Sequence, residues 1–177
     1  MSLETIILLS LIFTSIFGVL FHFAHQKFPK SFIVHIFCPV NESVWEHSKL
    51  TYSPMLIAGI FQIFGLNGSY PNHYLSILIS IVFGIILMPM LYYPIRKMLK
   101  KEVLWVSISI FYVVVISSYF VEYLMLKNNV TLFGANGELI SLCLLIAVIV
   151  MYAILTFLPP KLGIFKDSVK KKYGDFK

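Results

Sequence analysis

The chain has 177 residues, of which 59% are hydrophobic and only 12% are charged. Its mean hydropathy of +0.88, together with long apolar runs that lack charge, excludes an ordinary soluble globular protein. In a soluble protein, the net charge of +6 would suggest a nucleic-acid partner. Here, lysines placed around membrane spans explain the charge better, so no nucleic-acid partner is expected.

Five apolar stretches are expected to cross the membrane as helices within a single integral membrane domain, residues 1–177. Four of them have the length needed to span a hydrocarbon core of about 30 Å. The remaining stretch is shorter and carries Pro54 and Gln62, but counting it as a span gives a consistent topology. The sequence therefore predicts an all-α membrane protein, a five-span helical bundle surrounded by membrane lipids. The predicted spans are residues 5–23, 50–66, 75–93, 103–126 and 139–158, followed by a basic tail at residues 159–177.

The connection between the first two spans contains a second, much shorter apolar stretch. It lies at residues 32–37, and Pro29 and Pro39 flank it. Because this stretch is too short to cross the bilayer, we predict a re-entrant or interfacial segment before span two.

Basic residues fall on one side of the five-span arrangement. If the N-terminus lies outside, 13 of the 14 lysine and arginine residues lie on the cytoplasmic side, and only Lys127 remains outside. Cytoplasmic loops carry the excess of lysine and arginine in membrane proteins. The sequence therefore predicts an external N-terminus and a cytoplasmic C-terminus. The 13 residues are Lys27, Lys30, Lys49, Arg96, Lys97, Lys100, Lys101, Lys161, Lys166, Lys170, Lys171, Lys172 and Lys177.

The most unusual stretch is the polar segment that precedes span two. Ionisable side chains are costly in a membrane protein, so such a cluster indicates a functional site. Asn41 is predicted to cap a helix that begins at Glu42, where the helix dipole favours an anion. On that helix Glu42, Glu46 and Lys49 would share one face. The candidate site residues of this segment are Asn41, Glu42, Ser43, Trp45, Glu46, His47 and Lys49.

Two histidines at the end of the first span face the same membrane side as this segment. His22 and His25 are three residues apart and share a helix face, so they are expected to converge with Glu42, Glu46 and His47. Imidazole and carboxylate groups suit zinc or another divalent metal, and also general acid–base chemistry. The predicted metal ligands are His22, His25, Glu46 and His47. The spacing alone does not establish a zinc motif, because an H-x-x-E-H helix requires a histidine where Ser43 stands.

Several functions fit this cluster. The leading hypothesis is a membrane-embedded, metal-dependent enzyme that acts on a lipid or another small amphiphile at the inner leaflet. Glu46 or Glu42 would act as the general base, and Lys49 as a contact for an anion. His22 and His47 would act as ligands or as acid–base partners. The alternatives are a protein that binds or transports an ion or small solute, and a non-catalytic membrane subunit. A purely structural network of hydrogen bonds has equal weight with the metal site.

Two acidic residues outside the segment also stand in unusual places. Glu122 falls late in the fourth span and is expected at the outer membrane interface, with an outer polar patch shared with Ser118 as the alternative. Asp167 lies in the basic tail, near the aromatic Phe165. An excess of basic residues in a cytoplasmic tail does not explain why Asp167 and Phe165 are there. We expect these two residues to fold back over the cytoplasmic end of the bundle.

The chain resembles a family of small integral membrane proteins of low-GC Gram-positive bacteria that is defined only as a domain of unknown function. The resemblance rests on Gly18 with His22-Phe23, on the long motif Pro39–His47, and on the tail elements around Pro159-Pro160-Lys161 and Asp167. These elements run from the first span to the tail and so cover nearly the whole chain. The resemblance implies a bacterial plasma-membrane protein, and it implies no activity.

Overall fold

The computed structural model describes residues 1–99 and 103–174, and the secondary-structure elements within them are all helices. Lys100, Lys101 and Lys177, which entered the predicted orientation, lie outside the described residues. Five of the helices are long and apolar enough to cross a membrane, which confirms the predicted all-α, five-span fold class. The helices are α1 (Leu3–Lys27), α2 (Phe32–Phe37), α3 (Val44–Leu66), α4 (His73–Leu99), α5 (Leu104–Lys127) and α6 (Gly137–Phe157), with short 3₁₀ turns at Gly134–Asn136 and Gly163–Phe165.

Side-chain caps decide where α1 and α3 begin. The hydroxyl oxygens of Ser2 and Ser43 accept hydrogen bonds from the backbone of Thr5 and Glu46. These bonds satisfy amide groups that have no partner within the first helical turn. The prediction that Asn41 caps a helix beginning at Glu42 is therefore wrong, because Ser43 is the cap and α3 begins two residues later.

The five long helices alternate in direction, as contacts at their two ends show. At one end, Lys49 at the start of α3 reaches Thr156 at the end of α6. At the other end, the amino group of Met1 reaches Gly65 near the end of α3, and Asn72 before α4 reaches Met125 near the end of α5. The end that holds the start of α3 also holds the C-terminus of α1 and the tail, and we call it the basic end.

Helix α3 lies at the centre of the bundle. It packs against α1 and α4, and Tyr52, Met55 and Ala58 on it are almost completely buried. By contrast, α1 and α6 turn many large apolar side chains outward, which suits helices that face lipid. The short helix α2 packs on α6, where the rings of Phe32 and Phe157 stack at 5.2 Å. The membrane position of α2 stays a prediction.

A close approach between α1 and α3 fixes the relative position of the two helices. Pro54 has no amide hydrogen, so the carbonyl group of Leu50 receives no helical hydrogen bond from it. That carbonyl oxygen lies against Gly18 of α1, where an added Cβ atom would come within 2.6 Å of it. Only glycine allows this contact. It brings the end of α1 over the start of α3, and with it His22, one turn after Gly18.

Candidate functional site

Three side chains meet at the basic end in an arrangement that suits a metal ion. His22 comes from α1, Glu42 from the connection before α3, and His47 from the first turns of α3. One ligand atom from each lies within 4.8 Å of the others. This confirms the expectation that His22 and the segment around His47 face each other, and the two imidazole rings are 5.4 Å apart.

The backbone of α3 fixes the ring of His47. Its Nδ1 atom lies 3.0 Å from the carbonyl oxygen of Ser43, and because a carbonyl only accepts, Nδ1 carries a proton. The other ring nitrogen, Nε2, lies 3.4 Å from Oε2 of Glu42. A histidine whose second nitrogen donates to a backbone carbonyl is the arrangement found at metal sites, since it orients the ligand nitrogen and fixes its tautomer.

The ring of His22 is half-buried and contains an unsatisfied polar atom. Its Nδ1 is shielded from solvent and has no hydrogen-bond partner among the residues that the structure describes. Buried polar atoms usually have a partner, so an orphaned ring nitrogen beside a second histidine and a carboxylate indicates a ligand.

The tail positions Glu42 through its backbone. The amide of Glu42 donates to Oδ2 of Asp167, and its carbonyl oxygen accepts from the amide of Ser168, both at 3.4 Å. Asp167 is buried, and its Oδ1 accepts at 2.7 Å from the amides of Val169 and Lys170. The tail therefore folds over the basic end, as expected, and Asp167 ties it to the connection that carries Glu42.

Asn41 and Trp45 shape the surroundings of the site without joining the three ligands. The side-chain oxygen of Asn41 accepts from the amide of Ser43 and forms a turn in place of the predicted helix cap. The indole of Trp45 stacks on Tyr152 at 4.6 Å and contacts Phe165 of the tail at 4.9 Å. This aromatic stack joins α3, α6 and the tail.

Glu46 and Lys49 form a second, buried group that is separate from the three ligands. The Lys49 ammonium donates to Oε2 of Glu46 at 2.6 Å, to Oγ1 of Thr156 at 2.6 Å and to the carbonyl oxygen of His35 at 2.8 Å. Oε2 of Glu46 also accepts from the amide of Val40 at 3.0 Å. The pair thus fastens α2, through His35, and the connection before α3, through Val40, to the bundle.

The structure therefore brings together a different ligand set from the predicted one. His22 and His47 are close, but Glu42 completes the group, whereas His25 and Glu46 lie outside it. The ring of His25 instead lies 5.1 Å from that of His35 on α2. The ligand set differs from the predicted one because α3 begins later than predicted. Glu42 therefore lies in the connection, where its carboxylate approaches His47, whereas Glu46 faces α6.

An apolar cavity opens beside the two histidines. It has a volume of about 280 Å³ and lies between α1, α3, α4 and α5. His22 and His47 form part of its wall, and aromatic side chains such as Phe111 and Tyr112 form another part. Nothing in the sequence singles out the α5 residues of this wall, because α5 is apolar on nearly every side. Thr156, the acceptor for Lys49, was also missed as a site residue, although it is a polar residue in the apolar run of α6.

A comparison with protein families identifies the chain. The family model described as "Family of unknown function (DUF6512)" matches residues 1–175. The chain therefore belongs to this family, as the resemblance indicated. No curated protein and no solved structure gives a significant match.

Proposed function

We propose that this member of the DUF6512 family is a metal-dependent membrane enzyme that acts on a lipid or another amphiphile. A divalent metal such as zinc would be held by His22, Glu42 and His47. The basic end would face the cytoplasm, so that the substrate would come from the inner leaflet of the bacterial plasma membrane.

The observation that carries this proposal is the chemistry of the three ligands. Two imidazoles and one carboxylate are the protein ligands of many catalytic zinc sites, which keep a fourth position open. The Ser43 carbonyl orients the ring of His47, and the buried Nδ1 of His22 has no partner within the described chain. A bound divalent metal would polarise a carbonyl or phosphoryl oxygen of the substrate.

The position of the apolar cavity supports an amphiphilic substrate. A cavity lined by apolar side chains with a few polar groups at one edge is the usual form of a small-molecule site. Here His22 and His47 form the polar edge, and most of the remaining wall is apolar. An acyl chain would occupy the cavity, while the polar head would lie at the histidines and Glu42.

Glu42 is the residue proposed to exchange a proton with the substrate, because both ring nitrogens of His47 are engaged, one by the Ser43 carbonyl and one as a metal ligand. The side chain of Glu42 is 44% exposed, which leaves one side of its carboxylate open for proton transfer. Glu46 and Lys49 were candidates for catalysis as well, but each of their charged groups is engaged inside the bundle. In this proposal they position the connection that carries Glu42, and they do not contact the substrate.

The test is zinc binding by the purified full chain, with matched histidine variants. His22→Asn and His47→Asn should each weaken zinc binding by at least about 100-fold, because even outer-shell changes cost about 10- to 100-fold. The control is His25→Asn, which removes a histidine one turn along the same helix and should bind zinc as the unmodified protein does.

The outcomes separate the metal site from the enzyme. Equal losses in His25→Asn and His22→Asn, or no zinc binding by the unmodified chain, would rule out the proposed ligands. Zinc binding without turnover of ester or phosphodiester lipids in mixed vesicles would keep the site and remove the enzymatic role.

A further inference from the structure

Glu122 lies inside the bundle, far from the basic end. It is only 1% exposed, and its Oε2 accepts a hydrogen bond from Oγ of Ser80 on α4 at 3.3 Å. The amide of Gln62 on α3 lies beside its carboxyl group. The sequence expectation put Glu122 near the outer end of its span. The structure adds that α5 turns the side chain inward, toward α3 and α4, while its depth in the membrane stays a prediction.

Several polar atoms around Glu122 are buried without a full set of hydrogen bonds. Its Oε1 and the Oε1 of Gln62 are both buried, and neither has a hydrogen-bond partner among the described residues. The Gln62 amide nitrogen carries two protons; it donates one to Oγ of Ser10 at 3.0 Å, and the other is left for the carboxyl group of Glu122. Oγ of Ser118, one turn before Glu122, is also buried without a partner there.

Nothing in the described chain neutralises an ionised Glu122. The ion pairs within residues 1–99 and 103–174 join Glu42 to His47 and Glu46 to Lys49. An isolated carboxylate between apolar helices is very costly, and carboxyl groups in such positions are typical of proton-binding sites in membrane proteins.

We propose that Glu122 is a proton-binding site inside the helix bundle, with the protonated acid as its resident form. One proton on the carboxyl group turns an orphaned acceptor into a donor next to the side-chain amide of Gln62. That proton also removes the uncompensated charge. The site does not depend on the metal or the amphiphile proposed above.

The first measurement is the infrared spectrum of the full chain in lipid vesicles at neutral pH. The difference between the unmodified protein and Glu122→Gln should contain the carbonyl band of a protonated acid, and this band should be lost in the variant. Glu4→Gln serves as the matched control, because Glu4 is exposed near the same end of the bundle. Its difference spectrum should show the loss of carboxylate bands and no acid carbonyl band. Glutamine keeps the shape of the neutral acid, so Glu122→Gln should fold.

The second measurement needs no variant. Dicyclohexylcarbodiimide enters apolar regions and adds to protonated carboxyl groups, whose proton passes to a carbodiimide nitrogen as the new carbon–oxygen bond forms. Peptide mass analysis of the unmodified protein should place the label on Glu122.

Two results would overturn the proposal. One is a pair of carboxylate bands from Glu122 at neutral pH, with label on other acids only. The other is a carboxylate signal that changes to the acid signal when sodium is replaced by choline, since a sodium ion would then occupy the site.

Discussion

The ammonium of Lys49 lies 2.6 Å from the carboxylate of Glu46 inside the bundle, and the two side chains are 0% and 3% exposed. All three ammonium protons have acceptors, because Thr156 and the carbonyl group of His35 take the other two. The pair therefore joins α3 to α6 and to the segment that leads toward Glu42. A buried ion pair of this kind is costly to break from one side only.

The first prediction concerns this pair. Glu46→Gln and Lys49→Met should each lower the free energy of unfolding by about 3–5 kcal/mol, because each leaves the partner charge buried without a counter-charge. The double variant Glu46→Leu/Lys49→Met should lose much less than the sum. Chemical unfolding in detergent micelles would measure the three values. Zinc binding by the folded fraction of Glu46→Gln should stay near normal, and its complete loss would return Glu46 to the ligand set.

The second prediction concerns the contact between Gly18 and Leu50. Gly18→Ala should lower the free energy of unfolding by about 1–3 kcal/mol, because the new methyl group would press on a backbone oxygen and on Phe111. It should also weaken zinc binding, since α1 must shift and take His22 with it. The control is Gly59→Ala, whose methyl group would meet only the flexible end of Ile77. Unchanged zinc binding in Gly18→Ala would separate the helix contact from the site.

The sequence predicts the membrane spans of this protein well and the exact start of α3 poorly. The five spans follow from long apolar runs. A helix of such residues is stable in the bilayer largely independently of its neighbours, because its backbone hydrogen bonds are internal. The start of α3 was missed because Asn41 and Ser43 are both good caps, and the choice between them depends on the tail that holds Glu42. Because of that shift of two residues, Glu42 belongs to the ligand set in place of the predicted Glu46.

The burial of Glu122 could not be predicted from the sequence, for a different reason. A helix that is apolar on nearly every side has no amphipathic pattern to show which face meets its neighbours. Whether Glu122 faces lipid, the interface or Gln62 is decided by the packing of α5 against α4 and α3. His22 and His47 were paired correctly because both lie at helix ends on the same membrane side, which the direction of the spans already determines.

The third prediction concerns the tail. Asp167→Ala should make trypsin cleave after Lys170–Lys172 about 10- to 100-fold faster, because hydrogen bonds to a charged group contribute about 1.5–3 kcal/mol and Asp167 holds this turn. Ser168→Ala is the matched control, since the bond from Ser168 to Glu42 comes from the backbone and is retained. Equal cleavage rates in the two variants would show that Asp167 does not hold the tail on the site.

The fourth prediction concerns the reactivity of Cys38. Burial raises the pKa of its thiol to about 11, although the charge of Lys49 acts in the opposite direction. Because the thiolate is the reactive form, labelling by a water-soluble maleimide in a Cys143→Ser background should be very slow at neutral pH. The rate should rise about tenfold for each pH unit up to about 11, where the thiolate fraction levels off. Fast labelling at neutral pH would mean that Cys38 is open to water, and the segment between α2 and α3 with it.

The fifth prediction is the orientation of the bundle. The described lysine and arginine side chains lie at or near the basic end, apart from Lys127 at the end of α5. This excess should keep the basic end in the cytoplasm, because the bias of basic residues sets the orientation of membrane proteins. A fluorescent-protein fusion after Lys177 should then be fluorescent, since that reporter folds in the cytoplasm. An alkaline phosphatase fusion after Asn128 should be active, since that enzyme needs the oxidising side. The control exchanges the two reporters: phosphatase after Lys177 should be inactive, and the fluorescent protein after Asn128 should not be fluorescent. Activity of phosphatase after Lys177 would place His22, Glu42 and His47 outside, and a substrate would then have to come from the outer leaflet.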